Sequence, residues 1–255
     1  MMTAPRPTLL AFQPDSIPAT LRATPRWAPW RAAWDAKRGK YDKIPCQPSN
    51  PAYGLSTVHP ERWCTFDAAL AAYERPGTKL AGLGYCMTKP HGVVGIDLDH
   101  CVEADGTIHP WAAEIVAQLA SYTERSPSGT GLRILALGEI PYDWTNPERG
   151  IEVYGGHEPR FLTVTGQHLD GSPDSLQPVD AAVFAALATQ YAREKRKAEV
   201  IDLTIPDILD ELTLPDVASL PLPERAGQFL EHGAVDGDRS GALHAAGVAL
   251  YAAGL

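Results

Sequence analysis

In the stretch "GVVGIDLDH", residues 92–100, two carboxylates stand one residue apart inside an apolar run: Asp97 and Asp99. Burying a carboxylate is costly unless a cation or hydrogen-bond donors compensate it. Side chains two apart on a strand share a face, so Asp97 and Asp99 should project together while Ile96 and Leu98 face a core. The stretch "GIEVY" repeats the alternation, with Glu152 pointing away from Ile151 and Val153. If these two strands are neighbours, three carboxylates converge on one patch of sheet. Oxygen-preferring divalent cations, Mg²⁺ or Mn²⁺, would then relieve their repulsion. Solvated acids on an ordinary strand are the competing reading. A calcium loop is excluded, because the sixth position counted from Asp97, where an EF-hand requires glycine, is Val102.

A second constellation is "SPSGTGLR". Ser126, Ser128, Gly129 and Gly131 form a loop ahead of a strand, where glycine permits backbone N–H groups to turn toward an anion. Arg133 follows on that strand as a fixed positive charge able to grip phosphate oxygens in a bidentate way. The loop is neither a Walker A sequence nor a dinucleotide-binding fingerprint, and an ordinary glycine turn competes with the phosphate reading.

Elements that would position these groups can be read from periodicity. "RWAPWRAAWDAKRGKYDKIP" is basic and aromatic, and Pro29 argues against a helix there. It reads as a strand near residues 27–32 followed by a turn around residues 37–40 with Gly39 at its tip. A helix begins near Thr65, with Phe66, Leu70 and Tyr73 on one side. "KLAGLGYCM" and "GVVGIDLDH" read as consecutive strands joined by the turn-forming "TKPHG". "HPWAAEIVAQLASY" reads as a helix with Pro110 in its first turn, and Trp111, Ile115 and Leu119 share a face. "LRILALG", "GIEVYGG" and "RFLTVTG" read as further strands. "DAAVFAALATQYAREKRK" closes the region as a helix with Asp180 as its N-cap.

The chain therefore divides into an irregular Pro-rich arm over 1–25, a folded domain over 26–198, a linker over 199–237 carrying Pro206, Pro215, Pro221 and Pro223, and the start of a helical domain over 238–255. With 44% hydrophobic and 21% charged residues, wholesale disorder is excluded. No signal-peptide layout or membrane-length apolar run is present, and a cytoplasmic location is the expectation. The four cysteines, Cys46, Cys64, Cys86 and Cys101, form no CxxC pair and read as free structural thiols. No His-x-His pair is present, which argues against a relaxase-type nickase.

The net charge of −9 is unevenly spread. Residues 1–90 carry 12 Lys and Arg against 6 Asp and Glu, whereas residues 91–190 carry 4 against 14. A basic first third and an acidic middle suggest one surface for phosphates and another for cations. Trp27, Trp30, Trp34 and Trp63 fall in the basic third, where burial in the core competes with stacking on nucleic-acid bases.

Taken in order, Asp-x-Asp on a strand, Ser-x-Gly-x-Gly opening a strand, hydrophobic-Glu on a third and then "RFLTVTG" resemble the archaeo-eukaryotic primase superfamily. The resemblance is to the primase-polymerase domain of phage and plasmid replication proteins, and it covers about residues 25–190. "KYDKIP" and "GLSTVHPERWCTFDAAL" are similar to the segments ahead of the first acidic motif there. The resemblance implies an α+β fold: an RRM-like catalytic core with a smaller α/β subdomain, followed by a helical C-terminal extension. It implies that Asp97, Asp99 and Glu152 bind two Mg²⁺ or Mn²⁺ ions and are catalytic. Nucleoside triphosphates would be the substrates, and single-stranded DNA template and primer the partners. Arg133 stands where the family usually carries His, which keeps a phosphate-gripping role and loses a titratable group. Lys43 and Arg160 are implied triphosphate contacts, and a larger parent protein with helical and helicase domains is implied beyond the chain. Two other classes stay open: a metal-dependent nuclease on the same carboxylates, and a replication module that binds single-stranded DNA without catalysis.

Overall fold

A computed structural model describes residues 8–192. The linker and helical domain expected over 199–255, and the last turns of the helix expected to reach residue 198, lie outside the described residues. Along the chain the elements are α1 (Ala19–Arg22), β1 (Trp27–Asp35), β2 (Lys40–Pro45), α2 (Phe66–Tyr73), β3 (Gly82–Cys86), β4 (Val93–Leu98), α3 (Pro110–Leu119), β5 (Tyr122–Arg125), β6 (Leu132–Leu137), β7 (Trp144–Asn146), β8 (Ile151–Tyr154), β9 (Phe161–Val164) and α4 (Ala181–Tyr191). Among the described residues no helix is long and apolar enough to cross a membrane.

The fold is α+β, with two sheets whose named strands pair antiparallel throughout. One has the order β2-β1-β3-β9 and the other β5-β6-β4-β8-β7. β3 and β4 are consecutive in sequence, yet they belong to different sheets, so "TKPHG" carries the chain from one sheet to the other. The described part of the arm read as irregular, residues 8–25, holds short helical pieces and docks on this body. Ile17 and Leu21 are buried, and the Gln13 N–H donates to the Thr165 carbonyl at 2.8 Å.

Alternation along β4 sets up two cores. Val94, Ile96 and Leu98 join Ile115 and Leu119 of α3 and Phe184 and Leu187 of α4 on one face of the five-stranded sheet. Val93 of β4, Leu135 of β6 and Tyr154 of β8 join Leu83, Tyr85, Leu162 and Val164 of the four-stranded sheet on the other. Burying both faces makes β4 apolar at every position except Gly95 and Asp97.

Local signals explain several boundaries. The Thr65 hydroxyl accepts from the Ala68 N–H at the start of α2, and the Asp180 carboxylate accepts from Ala182 at the start of α4. The helix read through residue 122 ends at Leu119, because Ala120 takes the left-handed conformation at φ +41°. Tyr122 then opens β5, which takes the last residue of that helical pattern and the unassigned residues 123–125. Gly39 at φ +62° forms the tip between β1 and β2, where the turn was expected.

Candidate active site

The register across the five-stranded sheet brings the charged residues into one row. Asp97 lies opposite Arg133 of β6 on one side and Glu152 of β8 on the other; Arg133 lies opposite Glu124 of β5. Directly opposed residues present their side chains on one face, so Glu124, Arg133, Asp97 and Glu152 line up perpendicular to the strands. The row faces away from α3 and α4, since the intervening Ile96, Leu98, Leu132 and Val153 fill the helical core.

Arg133 is 1% exposed and holds the row together. Its Nε donates to Asp97 Oδ1 at 3.2 Å and its Nη2 to Asp97 Oδ2 at 3.3 Å, a bidentate pair. Its Nη1 donates to the carbonyl and the Oγ1 of Thr163 on β9, so the same guanidinium ties one sheet to the other. The phosphate-facing arginine expected from sequence is thus turned inward onto a carboxylate. At the far end, Glu124 is fully buried and accepts from the backbone N–H groups of Thr165 and Gly166, each at 2.8 Å, and from the Tyr122 hydroxyl at 2.9 Å. Burial raises the pKa of its carboxyl, and the two N–H donors oppose that rise.

Glu152 accepts from the Tyr154 hydroxyl two residues along the same strand face. Asp99 does not ride on the strand: β4 ends at Leu98, and Asp99 sits in an exposed turn whose N–H donates to the Gly150 carbonyl at 2.7 Å. Burial by surrounding protein and then the neighbouring Asp97 charge push the Asp99 carboxyl above its ordinary range. From the four-stranded sheet, Lys43 of β2 lies within electrostatic reach of Asp97, Asp99, Glu152 and Arg133. Its side chain is open to solvent but ringed by protein; that surrounding mass, then Arg133, lowers its pKa, against the three carboxylates.

Over 220 residues, 84% of its length, the chain is 33% identical to the DNA primase-polymerase of Nitratiruptor phage NrS-1. The chain belongs to the primase-polymerase family. It spans 28% of the length of that phage protein. No family model matches the sequence.

Within this primase-polymerase domain the loop of Ser126 to Gly131 is closed on itself. The Ser126 N–H donates to the Gly131 carbonyl at 2.8 Å, Gly129 N–H to the Ser126 carbonyl at 2.9 Å and Gly131 N–H to the Ser126 hydroxyl at 3.1 Å. Those N–H groups serve the turn, and the Ser128 hydroxyl, on an exposed residue, also bonds within it, to the Ser126 hydroxyl at 3.1 Å and the Thr130 hydroxyl at 2.9 Å. Gly131 is required by contact: a Cβ there would lie 2.5 Å from the Leu98 carbonyl oxygen and 3.4 Å from Asp99 Cα. The loop thereby buttresses the acidic turn. Arg160, just ahead of β9, places its guanidinium 5.4 Å from the centre of the Tyr154 ring, on the strand that carries Glu152.

Among the described residues no group of three or more His, Cys, Asp or Glu side chains is gathered to hold a metal ion. Asp97 is engaged by Arg133 and Glu152 by Tyr154. The donor chemistry nonetheless suits a hard cation. Three carboxylates face two protein cations, Arg133 and Lys43, and all the potential ligands are oxygens. Sequence reasoning missed Glu124, Tyr154 and Thr163. Tyr154 lies two residues from Glu152 and Glu124 directly across from Arg133, so period-two counting would have found both once β5 was recognised, whereas Thr163 is on the other sheet and has no such signal.

Proposed function

We propose that this domain is a template-directed nucleotidyltransferase that joins nucleoside triphosphates to a 3′-hydroxyl with release of pyrophosphate, in DNA primer synthesis and extension. The observation that carries the reading is the Arg133–Asp97–Glu152 row with Asp99 at the strand end, in a chain of primase-polymerase sequence. In this reading the five-stranded sheet with α3 and α4 is the RRM-like core and the four-stranded sheet with α2 is the smaller α/β subdomain.

Asp97, Asp99 and Glu152 would hold two Mg²⁺ or Mn²⁺ ions, which when bound supply acidification of the 3′-hydroxyl and charge neutralisation at the triphosphate. Arg133 fixes the plane of Asp97 through its two hydrogen bonds; its role is positioning. Tyr154 does the same for Glu152. Lys43 and Arg160 flank the carboxylates with positive charge and bind the triphosphate, aided by the Ser128 hydroxyl of the loop. Loss of the family histidine leaves no imidazole at position 133 to move a proton.

The test is extension of a labelled primer on single-stranded DNA with Mg²⁺ or Mn²⁺, comparing the chain with its Asp97→Asn, Asp99→Asn double variant. A parallel lane without primer reads initiation. Nucleotide-dependent products that vanish in the variant are expected. DNA shortening without nucleotides would replace this reading with the nuclease, and binding without either reaction with a non-catalytic module.

A further inference from the structure

The six tryptophans of the chain fall into unequal environments. Trp27 and Trp30 are buried at 0% and 2% exposure, and Trp63, Trp111 and Trp144 are partly buried. Trp34 is 41% exposed. It lies on β1 directly opposite Tyr41 of β2, and their rings stand 5.0 Å apart between centroids at 58°. Two residues from Tyr41 on the same strand, and so on the same face, comes Lys43, which lies within electrostatic reach of the three carboxylates. A face with an exposed tryptophan, a half-exposed tyrosine and a lysine that reaches toward the carboxylates therefore runs along the hairpin. Strand rise puts the rings about 7 Å beyond Lys43, within one or two nucleotide steps. The turn beyond adds Lys37 and Arg38; Arg38 is already paired with Asp35 and Asp42, and Lys37 supplies charge at the tip.

An exposed tryptophan beside an aromatic cross-strand partner offers a ring face on which a base can stack. We infer that Trp34 and Tyr41 form a base-stacking platform for single-stranded nucleic acid that leads past Lys43 to Asp97, Asp99 and Glu152. Bases present a π-face whatever their identity, so the platform is sequence-tolerant and suits a strand that must be read at any position. This deepens the nucleotidyltransferase reading and rests on it for the direction of the strand, but its binding test does not depend on catalysis.

The test is fluorescence anisotropy with a labelled single-stranded oligonucleotide, without nucleotide, on the full chain. Trp34→Ala should weaken binding about 10-fold, the loss expected for one base–aromatic stack, and Trp34→Phe should restore most of it. An abasic oligonucleotide of equal length should bind the chain and Trp34→Ala alike, because phosphate contacts are untouched. Oligonucleotide should also quench tryptophan emission in the unaltered chain and much less in Trp34→Phe. Trp34→Ala binding as tightly as the unaltered chain, or the abasic strand showing the same 10-fold loss, would overturn the platform. If binding behaves as expected while primers are never extended, the platform stands and the polymerase reading falls.

Discussion

In the five-stranded sheet, Glu124, Arg133 and Asp97 form a charged row under cover of protein, whereas in the four-stranded sheet Trp34, Tyr41 and Lys43 lie on a face turned largely to solvent. Each sheet puts side chains where folding alone would not. A buried guanidinium and carboxylate do not repay their desolvation better than apolar residues would. An exposed tryptophan forgoes the burial that would stabilise the core. The first arrangement gives rigidity: one bidentate pair holds Asp97 to Arg133, which is itself tied to Thr163. The second gives access. Chemistry that needs fixed carboxylates and a strand that must slide would divide between such sheets.

The largest effect is expected where the contrast is sharpest. Arg133→Met keeps the volume but strands the Asp97 carboxylate, 9% exposed, without its partner. Removing one member of a buried pair costs about 3–5 kcal/mol, read from urea denaturation. Adding Asp97→Asn to that variant should recover a large part of the loss, since the two residues are coupled. Removing Arg38 from its pairs with Asp35 and Asp42 on the open hairpin should leave the urea midpoint where it was. Equal costs at both places would erase the distinction between the sheets.

The charged row was half legible in the sequence. Alternation in "GIDLDH" and "GIEVY" placed Asp97 and Glu152 on a common face, and the register puts them directly opposite. That Asp99 leaves the strand was hidden, because nothing in "DLDH" marks where pairing stops; the end is set by Gly150 across the turn. The inward turn of Arg133 was hidden too. It depends on Thr163, 30 residues away on the other sheet, and no local pattern reports a contact between sheets. β5 was missed at the end of a helical pattern for a related reason, since "ASYTER" suits either state until Ala120 adopts its left-handed φ. Among the tryptophans, spacing could not separate the buried Trp30 from the exposed Trp34; both belong to one face of β1, and what covers Trp30 does not extend to Trp34.

Two glycine substitutions sharpen the same contrast at a smaller scale. Gly131→Ala meets the Leu98 carbonyl and the Asp99 backbone, so overpacking of about 1–3 kcal/mol is expected. Because the displaced atoms carry the acidic turn, extension activity should fall with it. Gly39→Ala at the hairpin tip meets nothing within 4 Å and is strained only by its φ of +62°, about 1 kcal/mol. Thermal melts and primer extension on both variants check this. Gly39→Ala should lose stability without losing extension.

The smallest effect concerns the turn that joins the two sheets, where His91 follows Lys89. The His91 ring packs against Tyr85, 5.6 Å between centroids; its Nδ1–H donates to the Lys89 carbonyl at 3.0 Å, and its Nε2 is buried without a partner. Burial, and then the Arg26 charge, push the imidazole down to about 4. Above the unfolded value of about 6.5 both states are neutral and His91 adds no pH dependence. Between that value and about 4 the unfolded chain takes up a proton that the folded turn refuses, so stability falls as acid is added. The slope cannot exceed about 1.4 kcal/mol per pH unit for one proton, and the ring's partial exposure keeps it below that limit. Urea midpoints at pH 7, 6 and 5 should fall more steeply for the unaltered chain than for His91→Asn. Parallel lines would mean that the junction lets the imidazole protonate in place, and that the sheets part more readily there than their shared core suggests.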